Sequence, residues 1–93
     1  ETVRAGRGEI DLTAALARLP GSPHLVQAEG GPLLNGALAA ADLIDEINLT
    51  LSPLVIGGDA ERLTAHAPPV RHGFHLAHLI EHDSYLFARY VRA

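Results

Sequence analysis

An α/β fold, with a mixed and mainly parallel sheet flanked by helices and finished by a C-terminal antiparallel hairpin, is what this 93-residue chain predicts. Three observations carry that prediction. The first half alternates strand-like and helix-like apolar periods, an order that favours parallel pairing. The stretch Ile47-Asn48-Leu49-Thr50-Leu51-Ser52 alternates apolar and polar residues one by one, the mark of a strand with one buried face. Two strand-like runs, Phe74 to His82 and Tyr85 to Arg92, then flank Asp83-Ser84, which reads as a hairpin turn.

The elements follow in order. Glu1-Thr2-Val3-Arg4-Ala5-Gly6 reads as a chain entered partway along a strand, and the lack of a starting methionine suits a fragment. Asp11 is a good cap for a helix over Leu12–Leu19, in which Leu12, Ala15, Leu16 and Leu19 form one apolar stripe. Pro20-Gly21-Ser22-Pro23 ends that helix. His24 to Ala28 then reads as a strand. A second helix starts near Gly31 or Pro32 and runs to about Ala41 or Leu43, with Leu34, Ala37, Leu38 and Ala41 on its buried face.

The junction between that strand and that helix, Ala28-Glu29-Gly30-Gly31-Pro32-Leu33-Leu34-Asn35-Gly36-Ala37-Leu38, is the stretch with chemical content. Pro32 suits the first helical position, where its missing N–H costs nothing and its φ is already helical. Unpaired N–H groups and the positive end of the helix dipole make such a start an anion site, and glycines let a diphosphate approach the backbone. A tight strand-to-helix turn with nothing bound is the alternative. Gly36 lies inside the helix, where glycine costs about 1 kcal/mol against alanine, and so marks the close approach of something else.

After the second helix, Asp42, Asp45 and Glu46 read as a solvated helix exit rather than a catalytic acid pair. Beyond the alternating strand, Pro53 demands an edge or a bulge. Leu54-Val55-Ile56 resumes the apolar pattern, and Gly57-Gly58-Asp59 turns the chain out of the sheet. Ala60 to Gly73, with Pro68-Pro69, reads as a long loop. The last third holds His66, His72, His75, His78 and His82. Strict strand alternation puts His78 and His82 on one face and His75 on the other. A closed zinc site needs four converging ligands, so no metal site is expected.

Composition narrows the function classes. A net charge of −4 with no basic stripe argues against nucleic acid, and no apolar run approaches the roughly 20 residues of a membrane-spanning helix. The absence of cysteine removes disulfides and thiolate metal sites and fits the cytoplasm.

The run Glu29 to Leu38, followed by Leu43-Ile44-Asp45-Glu46, Leu49-Thr50-Leu51-Ser52-Pro53-Leu54-Val55-Ile56-Gly57-Gly58 and Leu86-Phe87-Ala88-Arg89-Tyr90, resembles the reductase domain of bacterial riboflavin biosynthesis. The resemblance implies a partial dihydrofolate-reductase-like fold and NADPH-dependent reduction of the ribosyl carbonyl of an aminopyrimidine phosphate; relatives with this fold reduce dihydrofolate. It places Gly30, Gly31, Pro32, Leu33, Leu34, Asn35, Gly36 and Ala37 on the cofactor's diphosphate and Glu29 on the substrate. The family's domain is about twice as long, so the resemblance also implies that the N-terminal half of the domain is missing here, that the chain alone is inactive, and that the parent protein is a homodimer. A non-catalytic binding or dimerisation module that keeps the fold is the other reading.

Overall fold

The computed structural model describes residues 2–93. The chain forms two compact units, one made of the residues up to Leu43 together with Glu61–Pro68, the other of Ile44–Ala60 and Pro69–Ala93.

The first unit is helical. Its helix α1 spans Leu12–Ala17, and the Asp11 carboxylate accepts from the Ala14 N–H at 3.0 Å, the capping bond expected from the sequence. The stretch before α1 forms no strand; it is held by the Asp11 N–H donating to the Ala5 carbonyl at 3.2 Å and by Arg18 Nη1 donating to the Arg4 carbonyl at 2.9 Å.

Helix α2 spans Pro32–Ala40, with Pro32 at its first position. Its C-terminus closes in a Schellman arrangement: Asp42 takes φ 56°, its N–H donates to Ala39 and that of Leu43 to Leu38. Asp42 fills the position glycine usually occupies, because a short polar side chain tolerates the left-handed region.

His24–Ala28 is a correction. The segment is irregular, with Leu25 81% and Val26 51% exposed. A strand exists only as one side of a ladder, and no described residue pairs with this one. Without it the expected parallel part of the sheet does not form.

The second unit is a three-stranded sheet, antiparallel throughout, of strands β1 (Glu46–Leu51), β2 (Phe74–His82) and β3 (Tyr85–Arg92) in the order β1-β3-β2. The hairpin predicted from the sequence is present. Asp83 and Ser84 both take positive φ, 49° and 68°, the requirement of the two-residue turn whose twist matches the strands. The Glu81 carboxylate accepts from the Ser84 N–H at 3.2 Å. Leu54-Val55-Ile56 does not continue β1, which ends at Leu51. Pro53 has no N–H with which to extend the ladder.

Register assigns every strand residue to a face. Ile47, Leu49 and Leu51 share one with Leu86, Ala88, Tyr90, Leu76 and Leu79. The alternation read from the sequence therefore holds, yet the face is not buried, with Leu49 44% and Leu51 61% exposed. The opposite face carries Glu46, Asn48, Thr50, Phe87 and Arg89.

That second face also overturns the expected split of the histidines. The ladder slips between Leu76 and His78, so His75 pairs with Val91, His78 with Arg89 and His82 with Tyr85. The bulge at Ala77 adds one residue and inverts the parity of everything before it. His75, His78 and His82 consequently stand on one face. Among the described residues no group of three or more histidine or acidic side chains is placed to hold a metal ion.

Candidate functional site

The start of α2 leaves backbone donors uncapped beside open space. Gly31 caps the helix with φ 71° and ψ 171°, and no side chain caps it in turn. A β-carbon at Gly31 would meet nothing within 4 Å, so the glycine is needed for its left-handed backbone and the space above it is open. The first intrahelical bond runs from the Asn35 N–H to the Gly31 carbonyl at 3.1 Å. Pro32 has no N–H, which leaves Leu33 and Leu34 as the outward donors of this turn. Together with the dipole of a nine-residue helix they form a positive end of the kind that favours phosphate groups. The donor set and the free space over Gly31 fit such a group.

Glu29 stands two residues before the cap and accepts from Gln27 Nε2 at 2.7 Å. Glu29 itself is exposed. A β-carbon at Gly30 would lie 2.8 Å from Leu34 Cδ2, a side-chain end that can rotate away, so space does not demand glycine there. Leu33 is 62% exposed on the first turn.

Asn35 and Gly36 face a different neighbour. Asn35 Nδ2 donates to the Leu63 carbonyl at 3.0 Å, and the Ala65 N–H donates to the Pro32 carbonyl at 3.0 Å. Gly36 is the buried residue of α2, and the space its β-carbon would take is filled by the Ala65 carbonyl. The close approach marked by a glycine inside a helix is therefore that of another backbone segment. Glu61–Pro68 lies within the loop expected over Ala60 to Gly73 and carries no helix or strand. A mid-helix glycine facing a small residue such as Ala65 was the available signal, but it does not say which segment arrives.

Of the acidic residues after α2, Asp42 and Asp45 are exposed, as expected of a solvated exit, while Glu46 is engaged in the sheet unit. Glu46 belongs to β1, where its Oε1 accepts from Arg89 Nε at 2.9 Å and Nη2 at 2.7 Å and its Oε2 from Asn48 Nδ2 at 2.9 Å. These bonds hold the Glu46 carboxyl below its ordinary pKa, the Arg89 hydrogen bond being the largest cause and that of Asn48 the next. The same bond raises Arg89. Asp45 Oδ1 accepts from Arg92 Nε at 3.3 Å, while Arg92 Nη2 donates to the Ile44 carbonyl at 2.5 Å. The antiparallel register brings these arginines to the acids, a long-range effect that local spacing does not reveal. They fasten β1 to β3.

The chain is similar to a known family over most of its length. The family model described as the RibD C-terminal domain matches residues 2–85. A curated relative from Methanothermobacter thermautotrophicus, named 2,5-diamino-6-ribosylamino-4(3H)-pyrimidinone 5′-phosphate reductase, is 37% identical over 65 residues, covering 68% of this chain and 30% of its own length. The chain thus accounts for under a third of that relative. A match from residue 2 to residue 85 includes Gly30 and Gly31, α2 and all of β1 and β2, and on that extent the chain belongs to the RibD C-terminal domain family.

Proposed function

We propose that this chain is the cofactor-binding, C-terminal part of an NADPH-dependent reductase that acts on a ribosylamino-pyrimidine phosphate. The observation that carries the reading is the start of α2. There a positive-φ glycine, open space and the backbone N–H groups of Leu33 and Leu34 suit a diphosphate, with the exposed Glu29 two residues before the cap. The named activity of the relative from Methanothermobacter thermautotrophicus supports the substrate class.

NADPH, when bound, supplies the hydride. The chain's own part is to bind and orient. Gly31, Leu33 and Leu34 hold the diphosphate through backbone donors, and Glu29 accepts hydrogen bonds from hydroxyl or amino groups of the substrate. The ribosyl carbonyl carbon gains the hydride, its oxygen gains a proton, and a ribitol chain results. The rest of the domain supplies further strands of a dihydrofolate-reductase-like sheet in which His24–Ala28 finds its ladder partners. The parent protein works as a cytoplasmic homodimer, and the isolated chain is inactive.

The test is NADPH titration of the full-length protein by fluorescence, followed by the change in nicotinamide absorbance on adding ribosylamino-pyrimidine phosphate. Saturable binding and substrate-dependent oxidation are expected. A full-length protein that neither binds NADPH nor reduces this substrate or dihydrofolate overturns the reading.

A further inference from the structure

The sequence has no lysine or arginine between Arg18 and Arg62, so α2 offers a diphosphate backbone donors and no cation of its own. Glu61–Pro68 carries the next one in the chain, Arg62. It belongs to the same compact unit as α2 and is tied to the helix at three points: Leu63 through the Asn35 amide, Ala65 through the Pro32 carbonyl, and the Ala65 carbonyl seated against Gly36. The first two ties are 3.0 Å hydrogen bonds, and one of them ends on Pro32, in the same turn that presents Leu33 and Leu34. Arg62 precedes the first anchor by one residue. His66 follows the second and bends the backbone with φ 57°.

We propose that Glu61–Pro68 is a strap forming one wall of the dinucleotide site, and that Asn35 and Gly36 are positioning residues which hold it there rather than groups that touch the cofactor. One N–H of the Asn35 amide is engaged by the Leu63 carbonyl. The space at Gly36 is taken by Ala65, so a phosphate cannot come close to the helix at that point as it can at Gly31. Arg62, the first arginine or lysine in the sequence after Arg18, belongs to this strap and stands one residue before its anchor at Leu63. This inference rests on the reductase reading, since it names a wall of the same site.

Limited trypsin digestion of the full-length protein reads the strap directly through cleavage after Arg62, with cleavage after Arg71, in the other compact unit, as internal reference. Saturating NADPH is expected to slow cleavage after Arg62 relative to Arg71. Asn35→Ala, which removes one hydrogen bond of the ordinary net strength, is expected to speed it by about three- to tenfold, and to raise KM for NADPH by a larger factor than it lowers kcat. Asn35→Gln, which keeps the donor, should recover part of both effects. NADPH that binds without protecting Arg62 overturns the strap and leaves the reductase reading standing, and this comparison needs no variant to fold. Failure of NADPH to bind at all overturns the reductase reading instead. Cleavage after Arg62 that is the same in Asn35→Ala as in the unaltered protein removes Asn35 as a positioning residue.

Discussion

Arg89 reaches across from β3 to β1 and places two guanidinium N–H groups on a single carboxylate oxygen of Glu46, from Nε at 2.9 Å and Nη2 at 2.7 Å. The two residues are 43 positions apart and become diagonal neighbours only because Glu46 pairs with Val91 and Asn48 with Arg89. The pair is half exposed, so its main effect is on register and titration rather than on stability.

The titration of Glu46 therefore follows the pair. Its folded pKa lies below the ordinary value, so the stabilisation it contributes is present above the unfolded pKa and is lost as pH falls through the lower, folded one. In an NMR titration the Glu46 midpoint should lie below that of an ordinary glutamate and move upward in Arg89→Met. Added salt should narrow the difference. An unchanged midpoint in the variant would show that the pair does not form in solution.

Gly36→Ala reverses the usual preference for alanine in a helix. Propensity alone favours alanine by about 1 kcal/mol, but the new β-carbon would meet the Ala65 carbonyl, a backbone atom that cannot rotate away. Overpacking of this kind costs about 1–3 kcal/mol, so the variant should be less stable by urea unfolding. A gain in stability would mean that Ala65 does not lie on the helix.

Glu29→Gln keeps size and removes charge. If Glu29 accepts hydrogen bonds from the substrate, losing the charge-assisted part should lower kcat/KM of the full-length protein by about ten- to a hundredfold, the equivalent of 1.5–3 kcal/mol. NADPH affinity should be retained. Unchanged steady-state kinetics would return Glu29 to its bond with Gln27.

Deleting Ala77 should restore strict alternation in β2. The bulge puts His75 on the face of His78 and His82, so cross-strand NOEs from His75 to Val91 are expected in the unaltered chain. In the deletion variant His75 stands two positions before His78 on an unbroken strand, so it should keep the face of His78 and its NOEs to Val91. NOEs from His75 to Tyr90 in the unaltered protein would show that the bulge is absent.

Asp11→Ala tests a local bond. Loss of an N-cap costs about 1 kcal/mol, and α1 is only six residues long. Hydrogen exchange of the Ala14 amide should quicken several-fold while the amides of β3 keep their protection.

Much of this molecule was written locally. Asp11 as a cap, Pro32 at the first position of α2, and Asp83-Ser84 as a hairpin turn depend on a residue and its near neighbours, and each stands where the sequence put it. The alternation of Ile47, Leu49 and Leu51 likewise fixed which side chains share a face. The backbone at the start of α2 was legible for the same reason, since a glycine followed by proline sets Gly31 and Pro32 within a few bonds.

What tertiary structure alone decided is pairing across distance. Whether His24–Ala28 is a strand depends on a partner ladder and not on its apolar residues, and none of the described residues supplies one. The common face of His75, His78 and His82 depends on one extra residue in the β2–β3 register. Pinning of Glu46 by Arg89 and docking of Leu63 and Ala65 on α2 depend on where remote segments arrive. Caps and turns are settled by sterics and hydrogen bonds spanning a few residues. Ladders and docked segments are settled by the balance of chain entropy against contacts that exist only once the distant partner is in place.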